Sequence, residues 1–353
     1  MNKGINLIGY AKSEQGIGEG CRLTAAALSS TGIEWNVYDW ELNNPCRQND
    51  ATLQNKINNA INYNVSVINL NADQLLSSKD YFPRKLWKTY RIGVWYWELP
   101  ELPIEWKPAF DLIDEIWAPT KFIKESLEKS ANCPVYYMPP GLRRNEPGAK
   151  FDRDYYKLPQ DKFLFLSMFD MFSFTSRKNP KAAIDAFKKA FPKSCADVGL
   201  VLKLNNVNLK SKEYSELIAS IEGCNNIYLI SETMSREEIN GLMCCCDVAI
   251  SLHRSEGLGL LCQEAMYFGK PVIATGWSGN MDFMNENNSC LVDYKMIRAY
   301  DDYGNVVDLV EWEKQIRIDE RTKTIDEIIT KTIIILIKVQ YSLTSKIKKR
   351  ETV

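Results

Sequence analysis

Two carboxylates, Glu256 and Glu264, flank a glycine-containing turn within residues 251–264. The run before the turn, residues 247–252, has the apolar character of a short buried strand, and residues 260–268 have the spacing of an amphipathic helix. A turn from a strand into a helix presents backbone N–H groups and the positive end of a helix dipole, which suit an anion such as a diphosphate. The two carboxylates can accept hydrogen bonds from two sets of hydroxyls on one extended ligand. The run therefore predicts a site for a phosphorylated sugar.

The residues that follow this run add a second glycine-rich loop. Glu256-x7-Glu264 is followed by Gly-Lys-Pro-Val-Ile-Ala-Thr-Gly at 269–276 and by Ser278-Gly279. This combination resembles the nucleotide-binding signature of the family-4 retaining glycosyltransferases, the glycosyl transferases group 1. The resemblance covers roughly residues 1–293 and implies the GT-B fold, an α/β architecture of two Rossmann-like domains with mostly parallel sheets that face each other across a cleft. The rival interpretation is a strand–helix–strand unit with fortuitous glutamates.

Length, composition and charge limit the classes to which the protein can belong. A chain of 353 residues exceeds the usual size of a single core, so two domains of about 150 residues each are expected. With 45% hydrophobic and 25% charged residues, the chain is an ordinary globular protein. A formal net charge of −1 argues against nucleic acid as a general partner, because binding to a phosphate backbone needs clustered Lys and Arg in excess.

The cysteines and the lone histidine argue against a metal centre. The ten cysteines include the run 244–246 but no C-x2-C pair, so neither a zinc site nor a disulfide framework is indicated. They are typical of small core residues in a reducing cytoplasm. The N-terminus lacks the pattern of a signal peptide, and no run approaches the ~20 apolar residues of a membrane span. We therefore expect a cytoplasmic protein without a metal or other cofactor.

Strand-like runs alternate with helix-like intervals in both halves of the chain, which predicts α/β layering with mostly parallel sheets. We predict an N-terminal domain over 1–142, a charged linker over 143–162, a C-terminal domain over 163–318 and a basic helical tail over 319–353. The predicted strands are 5–10, 35–40, 65–70, 92–97, 115–118 and 135–138 in the first half, and 163–168, 199–204, 227–230, 248–252 and 271–274 in the second.

Ligands of open α/β sheets bind beyond the carboxyl ends of the strands, so the loops that follow the strands are candidates for the site. The first such loop contains Gly16-Ile-Gly18 and leads into a helix near Gly20. It resembles the N-terminal glycine-rich loop of family-4 enzymes, which closes over donor and acceptor. A plain strand–helix turn is the alternative, and a dinucleotide site would require G-x-G-x-x-G with an acidic residue at the end of the next strand.

Two further loops offer cations for a diphosphate. Arg177 and Lys178 precede a predicted helix over 181–191, where adjacent cations oppose the dipole preference and a bound anion would explain them. The resemblance assigns both residues to the donor diphosphate. The family usually has a Gly-Arg pair just after the predicted strand 163–168, and this chain has Phe169-Asp170 there. Lys203 lies among apolar strand residues and requires a partner, which is either a ligand phosphate or an internal ion pair. For Arg177 and Lys178, the alternative is a charged loop that is exposed to solvent and binds no ligand.

Other candidates surround the donor by resemblance or by chemistry. The family binds its nucleotide base beside a loop such as 231–235, which makes Thr233 and Met234 base-side candidates. His253, the only histidine, is either a donor contact or a structural hydrogen-bonding residue, and the neighbouring Arg254 either steers phosphate or pairs with a carboxylate. The backbone amides of Gly257, Leu258, Gly259 and Leu260 are further donor-binding candidates.

In the first half, Trp95-Tyr-Trp97-Glu98 ends a strand, and a carboxylate beside aromatic rings suits sugar recognition. Core packing explains the two tryptophans more simply, and Glu98 is the acceptor-side candidate.

The tail departs from the family, whose last helix usually crosses back onto the N-terminal domain. The tail's apolar run 332–337 and basic run 346–350 leave three interpretations open: that crossing, an altered or truncated end, or contact with an anionic membrane.

The resemblance implies a retaining, metal-independent hexosyltransferase. By resemblance it moves a sugar from a nucleotide-diphosphate donor, GDP-mannose-like among the options, to a glycan or lipid-linked hydroxyl in surface polysaccharide or glycolipid assembly, in the cytoplasm or at the inner face of the plasma membrane. Glu256 would hold donor-sugar hydroxyls, Glu264 the ribose, and Arg177 and Lys178 the leaving diphosphate. The rivals are a sugar-nucleotide epimerase on the same fold, which would need an acid or base such as Glu98, and a non-catalytic nucleotide- or glycan-binding protein.

Overall fold

The apolar runs of the sequence form two six-stranded parallel sheets in a computed structural model of the chain. The structure describes residues 2–142, 146–173, 175–191 and 196–294, together with a short antiparallel strand pair at 299–300 and 317–318. The described residues form two compact units: the first holds 2–142 and 256–258, and the second holds 146–255 and 259–294.

The first unit is a doubly wound α/β layer. Its strand order is β2-β1-β3-β4-β5-β6, and every neighbouring pair is parallel. Consecutive parallel strands need a crossover, and the helices supply it. The strands are β1 (Asn2–Gly9), β2 (Trp35–Asp39), β3 (Tyr63–Asn69), β4 (Tyr90–Val94), β5 (Glu115–Ala118) and β6 (Val135–Tyr137). The helices are α1 (Gly16–Ser29), α2 (Ala72–Ser78) and α3 (Lys121–Glu128), with 3₁₀ segments at Gln54–Lys56, Lys79–Tyr81, Leu86–Lys88 and Ile104–Leu112.

The central strand β1 is apolar on both faces because both faces of the first sheet are covered. Leu7 and Ile8 point to opposite faces and are both fully buried. Leu7 packs with Cys21 of α1, whereas Ile8 belongs to a second core cluster with Leu75 of α2 and Ile123 of α3. The C-terminal half of β1 is thus buried on both faces, as expected of an interior parallel strand.

The second unit repeats the plan around β7. Its strand order is β12-β11-β10-β7-β8-β9, again with parallel pairs throughout. The elements are β7 (Phe163–Asp170), α4 (Thr175–Lys178), α5 (Pro180–Ala190), β8 (Val198–Asn205), α6 (Lys212–Ile221), β9 (Ile227–Ile230), α7 (Arg236–Cys245), β10 (Val248–Ser251), α8 (Leu260–Tyr267), β11 (Val272–Thr275) and β12 (Cys290–Val292), with a 3₁₀ segment at Gly279–Asp282.

The segment before β7 packs on the second unit. Phe151, Tyr156 and Leu158 are buried in one of its core clusters, and Arg153 Nη2 lies 2.9 Å from Asp247 Oδ2. These residues fall within the stretch predicted as a linker. The predicted tail, residues 319–353, lies outside the described residues.

The cysteines of the described ranges are free thiols rather than disulfide partners. Burial raises the pKa of the Cys21 thiol to about 12 and that of Cys245 to about 11, so neither carries the depressed pKa of a reactive thiol. Among the helices that the structure describes, none combines the length and the apolar character that crossing a membrane requires.

The two glycines of the predicted loop, Gly16 and Gly18, lie in the first turn of α1, which begins at Gly16 and not near Gly20, and the loop before α1 packs tightly against this turn. A Cβ atom on Gly18 would lie 2.2 Å from the Ser13 carbonyl oxygen, whereas a Cβ on Gly16 would meet no atom within 4 Å. Arg22 Nη1 donates to the carbonyls of Ala11 at 3.0 Å and Ser13 at 2.8 Å, which fixes the loop against α1. Gly18 is therefore required by the packing of the loop, while the space beside Gly16 is open.

Gly18→Ala should lower the stability of the protein by about 1–3 kcal/mol, since the added methyl must displace backbone. Gly16→Ala, which adds the same methyl to open space, should change stability by less than about 0.5 kcal/mol. Thermal and urea unfolding of the two variants, followed by circular dichroism, checks this. Equal losses in both variants would contradict the packing argument.

Candidate functional site

The strand order of the second sheet places a topological switch point between β7 and β10. The chain runs from β7 to β8 and β9 on one side and then returns to β10, β11 and β12 on the other. In open α/β sheets, ligands bind in the crevice at such a point, beyond the carboxyl ends of the strands. Two connections leave this point: the one after β7, which ends at Asn179 and contains the short helix α4, and the loop 252–259 after β10. Both are called loops below.

Three hydrogen bonds tie these two loops together. Arg177 Nη1 donates to the Ser255 carbonyl at 2.9 Å, and the Arg254 N–H donates to the Arg177 carbonyl at 2.8 Å. Asn179 Nδ2 donates to the Leu252 carbonyl at 3.0 Å, from a left-handed backbone (φ +51°) that asparagine tolerates well. Arg177 is only 5% exposed, and its guanidinium forms a hydrogen bond inside the protein.

Lys178 ends the short helix α4 and is half-buried, one residue before the turn at Asn179. The residue that ends β7, Asp170, occupies the position where the resemblance leads one to expect an arginine. Its carboxylate accepts from the Phe172 N–H at 2.9 Å and from Asn206 Nδ2 at 2.7 Å. Asp170 therefore organises the loop after β7 through its own hydrogen bonds.

His253 is buried, and protein groups engage both of its ring nitrogens. Nδ1 lies 3.0 Å from Ser251 Oγ, and Nε2 lies 3.2 Å from the Trp277 carbonyl and 3.1 Å from Asn280 Oδ1. The partners of Nε2 are acceptors, so Nε2 carries the proton and Nδ1 accepts from the serine hydroxyl. His253 thus connects the loop after β10 to the loop after β11, the structural role that the sequence left open beside a donor contact.

Asn280 holds the other end of that connection and is fully buried. Its Nδ2 donates to the Thr275 carbonyl at 3.0 Å, which turns its Oδ1 toward His253. Gly259 packs against it: a Cβ on Gly259 would lie 3.0 Å from Asn280 Cβ, and the Gly259 φ is +81°. Glycine is therefore needed at the N-cap position, directly before α8.

Ser278 has a backbone conformation that is rare for any residue other than glycine. Its φ is +77° and its ψ is −149°, and its side chain is buried. Residues are held in such regions only when their surroundings demand it, and such positions cluster at ligand-binding and catalytic sites. Here the neighbouring Trp277 carbonyl and Asn280 side chain are both bonded to His253, which fixes the strained turn on both sides.

Glu264, in the second turn of α8, is 1% exposed and forms a two-pronged ion pair. Arg236 Nη1 donates to Oε1 and Nη2 to Oε2, both at 3.0 Å. Arg236 begins α7, directly after the predicted base-side loop. Within that loop Thr233 is exposed and Met234 packs partly on the core, and a capping box between Ser235 and Glu238 defines where the helix begins.

Lys203 is 1% exposed on β8, and its Nζ donates to the Leu204 carbonyl at 2.6 Å. A buried ammonium requires such a partner, and this backbone carbonyl is neither of the two partners, a ligand phosphate or an internal ion pair, that the sequence left open. Of the other predicted donor residues, Gly259 and Leu260 lie at the start of α8. Glu256, Gly257 and Leu258 are buried and belong to the first unit.

In the first unit the predicted acceptor-side Glu98 follows β4 and is half-buried. Burial raises the pKa of Asp73, in the first turn of α2, because it desolvates the carboxylate. The nearby negative charge of Glu98 raises this pKa further. Burial likewise raises the pKa of Tyr10 to about 12. Trp95 and Trp97 are buried in the core, in agreement with the simpler of their two interpretations.

Three residues of this arrangement were not identified as site residues from the sequence: Asn179, Arg236 and Asn280. Each acts through a contact with a residue far along the chain, and only Asn280 carried a signal, since it follows the Ser278-Gly279 loop. Within the residues that the structure describes, no three His, Cys, Asp or Glu side chains are grouped as ligands for a metal ion.

A family model matches the part of the chain that forms most of the second unit. Residues 151–303, which include all of the loops just described after β7, β10 and β11, match the family model described as glycosyl transferases group 1. The match covers less than half of the chain. A comparison with curated protein sequences finds no significant match.

The fold is similar to several solved structures along nearly the whole chain. HepE from Anabaena in complex with UDP and glucose has a TM-score of 0.57 at 14% identity, over 99% of this chain and 100% of that one. Sucrose-phosphate synthase from Thermosynechococcus elongatus has a TM-score of 0.61 at 13% identity, over 98% and 100%. WaaG, a glycosyltransferase involved in lipopolysaccharide biosynthesis, has a TM-score of 0.53 at 12% identity, over 94% and 90%. The predicted fold class, two Rossmann-like domains with parallel sheets as in GT-B glycosyltransferases, is confirmed.

Asn280→Ala should destabilise the protein by about 1–3 kcal/mol, because it removes the side-chain donor to the buried Thr275 carbonyl and one of the two acceptors beside His253 Nε2. Asn280→Asp should also destabilise it, since a carboxylate oxygen would then face the Thr275 carbonyl although the side-chain shape is kept. The exposed Asn287→Ala is the matched control. Chemical unfolding measures all three, and an unaltered Asn280→Asp variant would show that shape alone matters at this position.

Proposed function

We propose that this protein is a retaining, metal-independent glycosyltransferase that transfers a hexose from a nucleotide-diphosphate sugar to a hydroxyl acceptor. One observation carries the proposal: the loops after β7, β10 and β11 are joined by buried hydrogen bonds at the switch point of a sheet whose sequence matches the group 1 model. Such loops are the usual ligand-binding elements of this topology.

The donor would lie along these loops with its charged centre at the start of α8. The backbone amides of residues 257–260 and the cations Arg177, Lys178 and Lys203 would bind the diphosphate, while Thr233 and Met234 would border the base. Arg177 Nη1 donates to the Ser255 carbonyl, which holds its guanidinium beside the loop after β10. Glu264 would accept the ribose hydroxyls, Glu256 the hydroxyls of the sugar, and His253 would act by supporting the loops.

The chemistry required of these groups is electrostatic. As the bond between the anomeric carbon and the diphosphate oxygen breaks, negative charge builds on the leaving group, and fixed cations and amides stabilise that charge. The acceptor oxygen forms its new bond to the anomeric carbon on the face that the diphosphate leaves. Its proton passes to the leaving phosphate oxygen, so that no protein nucleophile and no metal ion is required.

The candidate donors come from the solved structures with a similar fold and from the prediction made on the sequence. The HepE structures hold UDP, UDP-glucose, or UDP and glucose, which makes UDP-sugars the first donors to test here; a GDP-mannose-like donor is the other prediction. We propose a glycan or lipid-linked acceptor, bound with help from Gly16, Gly18 and Glu98 of the first unit, in surface polysaccharide or glycolipid assembly. The protein would act in the cytoplasm, with peripheral contact to the inner face of the plasma membrane.

A screen of UDP-, GDP-, ADP- and dTDP-sugars against the purified full chain tests the proposal. We expect one nucleotide class to raise the melting temperature selectively, because a ligand that binds only the folded state stabilises it. Glu264→Ala should lose the rise, whereas the exposed Glu286→Ala should keep it. Release of the free nucleotide in the presence of glycan and lipid acceptors should follow the same donor preference.

The outcomes separate the proposal from its rivals. Conversion of the sugar nucleotide without an acceptor would indicate an epimerase. Stabilisation without nucleotide release, whatever the acceptor, would indicate a binding protein. If none of the nucleotide sugars stabilises the wild-type protein, the donor site is refuted.

A further inference from the structure

The strip Glu256–Leu258, in the middle of the loop after β10, packs within the first unit, and all three of its residues are buried. A Cβ atom on Gly257 would lie 2.8 Å from the Trp97 carbonyl oxygen and 3.4 Å from Ile123 Cδ1. The first of these distances is too short for any real side chain, so only glycine fits here without a shift of backbone. The strip thus lies closely against the segment after β4 and the first turn of α3.

Thr120 holds the same glycine through a buried hydrogen bond. Its Oγ1 donates to the Gly257 carbonyl at 2.9 Å, and the same oxygen accepts from the Ile123 N–H at 3.2 Å. The second bond makes Thr120 the N-cap of α3, and the residue is fully buried. A hydroxyl has one proton to donate and two lone pairs to accept, so one side chain serves both the helix and the strip.

The elements that contact the strip are fixed by their own packing. Ser126 Oγ donates to the Leu99 carbonyl at 2.9 Å, which ties α3 to the segment after β4. Trp97 and Ile123 belong to one core cluster of the first unit. These residues form a firm support, and the position of Gly257 follows from it.

The position of this glycine matters because of its neighbours. In the proposed function, Glu256 accepts hydroxyls of the donor sugar, and the backbone amides from Gly257 onward bind the diphosphate. Electrostatic stabilisation depends on groups that are in place before charge develops. A misplacement of about 1 Å in such groups can cost about 100-fold in rate.

We propose that Thr120 is a positioning residue for sugar transfer, whose hydroxyl holds the strip Glu256–Leu258 where Glu256 and the backbone amides meet the donor. This inference rests on the proposed function, in which the strip binds the nucleotide sugar. Thr120 itself acts through Gly257.

Nucleotide release from UDP-, GDP-, ADP- and dTDP-sugars by the full chain, with glycan and lipid acceptors, tests the inference. Thr120→Val keeps the shape of the side chain without its hydroxyl, so turnover should fall about 10- to 100-fold. Thr120→Ser keeps the hydroxyl and should remain within about threefold of the wild type. Gly257→Ala, whose methyl group must move the strip away from Trp97, should lose as much turnover as Thr120→Val.

Binding of the nucleoside monophosphate of the same donor separates positioning from general damage. The predicted base and ribose contacts, Thr233, Met234 and Glu264, lie outside the strip. Isothermal titration of Thr120→Val with UMP, GMP, AMP or dTMP should therefore give the affinity of the wild type, although turnover has fallen.

Two control variants match the two kinds of change. Ser211→Ala removes the N-cap hydroxyl of α6, which accepts from the Tyr214 N–H, and should leave turnover unchanged. Gly32→Ala adds a methyl group to open space and is the control for Gly257→Ala. If Thr120→Val does not fold, the comparison of these two glycine variants decides.

Three results would overturn the inference. Wild-type turnover in Thr120→Val, or in Gly257→Ala where that comparison decides, would show that the contact does not position the donor groups. Equal losses of turnover and of monophosphate affinity would mean a merely structural role. If the wild-type protein releases no nucleotide from any donor, the proposed function fails and the inference fails with it, whereas either of the first two results refutes the inference alone.

Discussion

The buried hydrogen bonds of Asn280 are the constraint on which the second unit's site depends. A buried amide must be satisfied at both ends, and here one end bonds the Thr275 carbonyl while the other bonds His253. This requirement holds the loop after β11 against the loop after β10. It also explains why glycine is needed at 259, where any side chain would meet Asn280, and why Ser278 can keep a strained backbone.

The charged side chains near these loops are buried or partly buried, and each forms hydrogen bonds with another protein group. Arg177 bonds Ser255, Lys203 bonds Leu204, and Glu264 is held by the fork of Arg236. Charges placed at low exposure are costly unless they are paired, and groups fixed in this way need little reorganisation when a ligand arrives. The same bonds that stabilise the loops would therefore hold the proposed donor-binding groups in place when a ligand arrives.

The sequence alone predicted eleven of the twelve strands of the two sheets, because apolar runs such as 163–168 and 248–252 are typical of strands buried between two covered faces, but it missed the short edge strand β12. It also located the glycine-rich turn before α8, since glycine and helix periodicity are local signals. The partnership of Arg236 and Glu264 was out of reach: the two residues are 28 positions apart and meet only through the packing of α7 and α8. Similarly, no local pattern distinguishes Gly18, which packing demands, from Gly16, which lies beside open space.

Hydrogen–deuterium exchange of the full chain with and without saturating UDP-sugar tests the central claim, that the carboxyl-end loops of the second sheet bind a nucleotide-diphosphate sugar. Exchange reports the opening of individual backbone segments, so it locates a bound ligand along the chain. The account predicts slower exchange in 252–260 and 275–280, with a smaller effect in 231–236, and little change in the distant helix α6. Binding that leaves the first two segments unprotected would contradict it.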